Sequence, residues 1–131
     1  MNYSVEDLIN YRIERAYNSL EEAKILAEPE HWNTVLNRLY YNCFYMILAL
    51  FAIYNFKVST HSGVKSQFHK YFIKTGKISQ ELGAFFSYLS NKRQLADYQD
   101  FQSFSKEEIE PLISETANFP EQIRLFISRN K

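Results

Sequence analysis

Between Leu39 and Tyr54 the chain reads LYYNCFYMILALFAIY, a run in which Asn42 is the only strongly polar side chain. Such a stretch must either cross a membrane or be covered by protein. It falls short of the roughly 20 apolar residues a bilayer needs, and no basic cluster stands beyond either end. We therefore expect a central helix, from about Pro29 to Tyr54, buried on most of its sides and not in a membrane. At about 100° per residue, Val35, Leu39, Met46, Leu50 and Ile53 make one stripe of that helix. Arg38, Asn42, Tyr45 and Ala49 make a second, more polar one.

The segments around it also read as helices. The chain has 131 residues with only 3 Gly and 3 Pro. That is too few of either for an all-β domain with many tight turns, and the length fits one domain, residues 1–131. Ser4 with Asp7 signals a helix start, followed by an amphipathic run to about Ala27 whose apolar face holds Leu8, Tyr11, Ile13, Ala16, Leu20, Ala23 and Ala27. Glu28-Pro29-Glu30 breaks that run, and Pro29 suits the first turn of the central helix. Thr60 is placed to cap a third helix carrying Val64, Phe68, Tyr71 and Phe72 on one face, ended by Gly76. A fourth runs from near Gln80 to about Tyr98. Ser105 with Glu108 reads as a capping box opening a fifth, which carries Ile109, Leu112, Ile113, Thr116, Phe119, Ile123 and Phe126 and which Pro120 should kink or break. The expected fold is all-α: an up-and-down four-helix bundle with an additional short helix.

Composition narrows the function. Hydrophobic residues make up 46% and charged residues 23%, which excludes a wholly disordered chain. Aromatics reach 17%, with 11 Phe and 10 Tyr. So many phenol hydroxyls suggest a core with a wet edge, or an interface. Cys43 is the single cysteine, which rules out an internal disulfide and a cysteine-based zinc site. The N-terminus carries acids and no apolar signal region, so the cytoplasm is the expected compartment.

The net charge of zero conceals segregation. Residues 31–80 contain no Asp or Glu, yet hold Arg38, Lys57, Lys65, Lys70, Lys74 and Lys77. This window predicts either a basic surface or a basic helix neutralised by acidic neighbours.

The fourth helix carries the most unusual position. Leu82, Phe85, Phe86, Leu89 and Ala96 share a face, and Arg93 lies only about 40° from its centre. A guanidinium there must be paired or must open onto a cleft. Asp97, one turn on, is the expected partner. The pair is either a staple between helices or an anion-binding Arg held in place by Asp97. His61 shares the inward face of its helix with Val64 and Phe68, in a first turn whose free N–H groups favour anions. It is either a hydrogen-bonded structural group or part of a site. His69 points away from that face, beside Lys65, and His31 lies at the start of the second helix. No histidine pair has metal-ligand spacing with a carboxylate, so no metal or cofactor is expected, and Gly-rich phosphate loops and nucleophile elbows are absent.

Three strings, NRLYYNCFYMILAL, THSGVKSQFHKYFIKTGKIS and RQLADY, resemble in order and spacing the small prokaryotic branch of the HEPN domains (higher eukaryote and prokaryote nucleotide-binding). The most specific pieces are Arg38-Leu39-Tyr40-Tyr41, Thr60 to Val64, and Arg93 with Ala96-Asp97-Tyr98. The resemblance implies an all-α bundle, a homodimer, and a toxin–antitoxin-like pairing with a minimal nucleotidyltransferase. It also implies, for active members, a metal-independent ribonuclease with an Arg and a His spaced R-x(4–6)-H at a dimer cleft. Arg93 matches the motif's Arg. Gln94-Leu95-Ala96-Asp97-Tyr98-Gln99-Asp100 follows, with no His at a permitted position and Tyr98 at the first.

That departure matters chemically. Cleavage through a ribose 2′-OH needs a group that takes and returns a proton near neutral pH. Imidazole suits the task, whereas a phenol of pKa about 10 is a poor base. The leading expectation is a protein that binds nucleotide or RNA through Arg93, Asp97, Tyr98, Arg38 and Lys65, with weak or absent nuclease activity. His61 is a candidate replacement for the missing His across a folded or dimeric cleft. The alternatives are an active metal-independent endoribonuclease toxin, and a structural dimeric interaction module in which Arg93–Asp97 is a staple.

Overall fold

Helix α1 (Val5–Ala27) opens the chain and is followed by α2 (Trp32–Ile53), α3 (His61–Phe68), a π-helical turn (His69–Ile73), α4 (Gln80–Tyr98) and α5 (Lys106–Asn130). The computed structural model describes residues 3–98 and 103–130, for Tyr98 the backbone alone, and no strand occurs among them. The all-α bundle expected from the sequence is the fold observed, with α3 as the short helix.

The helix starts follow the capping residues. Ser4 Oγ accepts from the Asp7 amide while Asp7 Oδ2 accepts from the Ser4 amide. Ser105 and Glu108 form the same reciprocal box before α5, and Thr60 Oγ1 accepts from the Gly63 amide at the start of α3.

The α1–α2 connection differs from expectation. Pro29 is not in the first turn of α2 but in the closure of α1. Glu30 adopts φ 60°, its amide donates to Ala27 O and the His31 amide donates to Leu26 O. These two bonds with a left-handed residue form a Schellman motif, which satisfies the last carbonyls of α1 and delays α2 to Trp32. The end of α2 repeats the device: Asn55 has φ 60°, and the Phe56 amide donates to Phe51 O. The Phe51 and Phe56 rings pack edge-on at 5.2 Å, the apolar contact that accompanies such caps.

Helix α2 is the hub, packed against α1, α3, α4 and α5. Its length and composition would let it cross a bilayer, but 72% of its most apolar stretch is buried inside the bundle. It runs antiparallel to α1. Arg12 donates to Leu48 O, Arg15 to Tyr45 Oη, Asn42 Nδ2 to Ala16 O, and Arg38 pairs with Glu22, so residue numbers fall on α2 as they rise on α1.

The inward line of α1 is Ile9, Ala16, Leu20 and Ala23. Leu8 and Tyr11, expected on that face, are exposed. They stand about 100° and about 160° from Ile9 around the helix. Tyr71 is likewise exposed rather than inward. The π turn, closed by the Lys74 amide on His69 O, keeps Phe72 and Ile73 buried instead. Pro120 does not break α5, which runs on to Asn130. Phe119, Pro120, Ile123 and Ile127 are all buried on its core face. Burying such side chains at about 1.5–3 kcal/mol each outweighs a proline penalty of about 3 kcal/mol.

Candidate functional site

Three helices bring the site together. On α2, Tyr40 is fully buried and stacks between Phe44 and Phe86, each 5.7 Å away. Tyr41 follows it in sequence and therefore points about 100° away, half-buried towards the surface. Helix α3 begins at His61 because Thr60 caps it, and that places the imidazole over the two tyrosines. Tyr40 Oη lies 2.9 Å from His61 Nδ1 and Tyr41 Oη lies 3.3 Å from Nε2. The Phe44 ring closes the other side at 5.0 Å.

Helix α4 contributes the cation. Arg93 is only 7% exposed, and its guanidinium sits 4.6 Å from the Tyr40 ring centroid, a cation–π contact in a desolvated setting. Its Nη1 donates to Asp97 Oδ2 at 2.6 Å. Among the described residues Arg93 makes no other hydrogen bond, and its Nε is buried without an acceptor. A guanidinium has five N–H donors. One serves Asp97, and among the described residues no acceptor takes the others. The expected Arg93–Asp97 pair is present, with Asp97 at the rim, its side chain 36% exposed.

His61 and Arg93 thus pack on one Tyr40 ring, at 5.7 and 4.6 Å from its centroid. Burial pushes the His61 pKa down and the Arg93 charge adds to that, while Asp97 pulls the other way. The imidazole is therefore neutral near pH 7. Burial also raises the Tyr40 hydroxyl well above the usual phenol range, the opposing pull of Arg93 notwithstanding, so it stays protonated.

The other expected site residues divide. Arg38 packs on the Tyr41 ring at 5.1 Å, which puts it at the edge of the cluster, but it is engaged by Glu22 and by Asn37 Oδ1. Lys65 stands one turn along α3 from His61, with Nζ donating to Asn91 Oδ1 of α4. His69 continues the same seam, its Nε2 2.9 Å from Ser87 Oγ. The side chain of Tyr98 lies outside the described residues. Tyr40 and Tyr41, which orient His61, are the members that periodicity missed. Their sequence signals are a tyrosine pair inside an otherwise apolar run and their place in the Arg38-Leu39-Tyr40-Tyr41 string that carries the family resemblance.

Of the six basic residues in the acid-free window, Arg38 is neutralised by Glu22. Among the described residues no carboxylate forms an ion pair with Lys57, Lys65, Lys70, Lys74 or Lys77. No three His, Cys, Asp or Glu side chains among the described residues come together as a metal site.

Comparison with known proteins agrees with this architecture. The family model described as HEPN domain matches residues 9–125. A "UPF0332 protein" of Thermotoga maritima is 34% identical over 122 residues, 93% of this chain and 92% of the relative. Two relatives from Methanocaldococcus jannaschii carry the names "Putative toxin MJ0142" and "Putative toxin MJ0605". The first is 35% identical over 90% of this chain and 81% of its own, the second 32% identical over 95% and 92%. The match spans α1 from Ile9 through most of α5, including Tyr40, His61, Arg93 and Asp97, and the chain belongs to the HEPN domain family.

Proposed function

We propose that this HEPN-family protein acts in a toxin–antitoxin-like setting, as a homodimer with a nucleotidyltransferase partner, and binds the phosphate of RNA or a nucleotide at Arg93. One observation carries the binding reading: a guanidinium is held on an aromatic floor at the bundle's edge, and among the described residues it makes one hydrogen bond and its Nε meets no acceptor. Burying a cation is costly unless its donors are used. Phosphate oxygens match the planar fork of Arg and take the donors that Asp97 leaves. The lysines on and beyond α3, which form no ion pair with a carboxylate among the described residues, support a longer phosphate contact. Exposed Tyr3, Val5, Leu8 and Tyr11 on and just before α1 support a second protein surface for the homodimer. Tyr98 at the motif position offers no base near neutral pH, so little turnover is expected from that motif alone.

The test is fluorescence anisotropy of a labelled single-stranded RNA, with adenosine monophosphate as competitor, at rising salt. Binding should weaken with salt with a slope of about −0.7 per phosphate contacted and should fall roughly tenfold to a hundredfold in Arg93→Met. Salt-independent binding, or equal binding by the variant, contradicts the proposal.

The 2.6 Å Arg93–Asp97 bond favours a second reading, a structural staple in an interaction module. Under it Arg93→Met lowers stability and leaves binding unchanged.

A further inference from the structure

We propose that Ser87 of α4, with His69 as its base, is a covalent acceptor of small acyl groups delivered as acyl phosphates. The inference is independent of the Arg93 reading: the pair lies outside the Tyr40–His61–Arg93 cluster, and no nucleotide enters the step.

Helix α4 runs back along α3 and the π-helical turn in an antiparallel register. Ile73 lies against Gly83, His69 against Ser87 and Lys65 against Asn91, so successive rungs are four residues apart on each side. A Cβ at Gly83 would stand 2.9 Å from Ile73 Cγ1, so the close approach at that rung needs glycine. The π turn begins at His69 and is closed by the Lys74 amide on His69 O. Turns of this kind recur at functional positions.

At the middle rung His69 Nε2 lies 2.9 Å from Ser87 Oγ. Among the described residues the imidazole is the one hydrogen-bond partner of that hydroxyl. The hydroxyl therefore donates to Nε2, and the ring hydrogen is on Nδ1. A hydroxyl donating to a neutral imidazole is the arrangement that activates serine as a nucleophile. Burial pushes the His69 pKa down and the Lys65 charge adds to that, so the ring is neutral near pH 7. Lys65, one turn back on α3, is the charged group that acts on it, while Ser87 faces it from α4 and the Phe68 ring stands 5.9 Å away. Both His69 and Ser87 are half-buried rather than sealed in the core.

Charge selects the donor. Lys65 gives one of its three N–H donors to Asn91 Oδ1. Lys70 adjoins His69 in sequence, and among the described residues no carboxylate forms an ion pair with Lys65, Lys70 or Lys74. An anionic phosphate leaving group is drawn to such a seam and stabilised as it departs, an effect that a neutral ester lacks.

In the step, Ser87 Oγ forms a bond to the acyl carbon as its proton moves to His69 Nε2. The bond from that carbon to the bridging phosphate oxygen breaks, and phosphate leaves with the electron pair. The imidazolium gives its proton to the departing phosphate. An ester remains on Ser87.

The test incubates the purified full chain with acetyl phosphate and reads acetylation of each serine and lysine by peptide mass spectrometry. Exposed Ser66 of α3 serves as the reference hydroxyl. Ser87 should acetylate about 100-fold faster than Ser66, within the range a positioned base supplies. Hydroxylamine should remove that ester and leave acetyl-lysines in place. The Ser87 rate should rise with pH through a pKa below about 6.5 and then level, since neutral His69 is the active form. His69→Gln keeps a polar side chain beside Ser87 and should acetylate it about 100-fold more slowly, with an unchanged circular dichroism spectrum. Arg93→Met should leave Ser87 acetylation as in wild type, so this proposal and the phosphate-binding reading fail separately. Ser87 labelled no faster than Ser66, an unaffected His69→Gln, or a wild-type rate that keeps climbing in proportion to hydroxide above about pH 7 overturns the proposal. Should His69→Gln lose its helical signal, the Ser66 comparison and the pH profile of the wild type decide.

Discussion

The guanidinium of Arg93 rests on the ring of Tyr40, 4.6 Å from its centroid, so the cation of α4 takes its floor from the most buried tyrosine of α2. Tyr40 is in turn held between Phe44 and Phe86, and the position of the charge is set by core packing rather than by a loop. Asp97 fixes its rotation. Rigid elements of this kind hold a binding group in place before a ligand arrives.

Replacing Arg93 by Met separates support from recognition. A buried cation with one partner contributes little net stability against an apolar side chain of similar volume, so Arg93→Met should change unfolding free energy by no more than about 1 kcal/mol. Loss of charge-assisted bonds worth about 1.5–3 kcal/mol should weaken phosphate binding roughly tenfold to a hundredfold. Urea titration and anisotropy read the two effects. A loss of more than about 3 kcal/mol with binding intact fits the staple instead.

Gly63 holds α3 in register. A Cβ there would run into Val58 Cγ2 and lie 2.7 Å from Thr60 Oγ1, both in the segment that caps the helix. Gly63→Ala should cost about 1–3 kcal/mol through overpacking. It should also loosen His61 from Tyr40 and Arg93, so that the imidazole pKa measured by NMR moves back towards about 6.5. An unchanged stability and pKa would show that the loop yields freely.

Protons should weaken the fold below neutral pH. Burial lowers the pKa of both His61 and His69, with Arg93 adding to the effect at the first, opposed by Asp97, and Lys65 at the second. Between those folded values and about 6.5 the unfolded chain binds more protons, so stability rises with pH across that window and is fully present above it. The urea midpoint should fall as pH drops from about 7 to about 5.5, and fall less in a His61→Gln, His69→Gln double variant. A midpoint equally steep in both proteins contradicts the assignment.

Glu30 is an L-residue in the left-handed region, at φ 60°, in the Schellman closure of α1. That conformation costs about 1–2 kcal/mol, and glycine relieves it while losing some of the gain to its freer unfolded chain. Glu30→Gly should raise unfolding free energy by about 0.5 kcal/mol in urea titration. A loss of stability would mean that the Glu30 side chain contributes contacts of its own.

The helices were legible because their signals are local. Ser4, Thr60 and Ser105 cap the helices they were expected to cap, and the apolar run of α2 forms the hub. The errors arose where tertiary packing or hydrogen-bond closure overrides a local rule. Pro29 reads as a helix start, but the left-handed Glu30 draws it into the end of α1. Pro120 reads as a break, but the core face around it carries the helix through. Leu8 and Tyr11 read as inward because the apolar line of α1 was centred away from Ile9. At the site, Arg93 and Asp97 share one helix and their pairing follows from a spacing of four. The His61 hydrogen bonds to Tyr40 and Tyr41 join residues 21 and 20 positions apart. No periodicity within one helix carries that relation.

The Arg93 side-chain resonances test the central claim most directly. In a ¹⁵N-labelled protein titrated with adenosine monophosphate, the Arg93 Nε–H signal should shift and saturate along the same curve as binding measured by anisotropy. An Arg93 signal that stays fixed at saturation, while lysine side chains alone respond, would place the phosphate elsewhere and contradict the account.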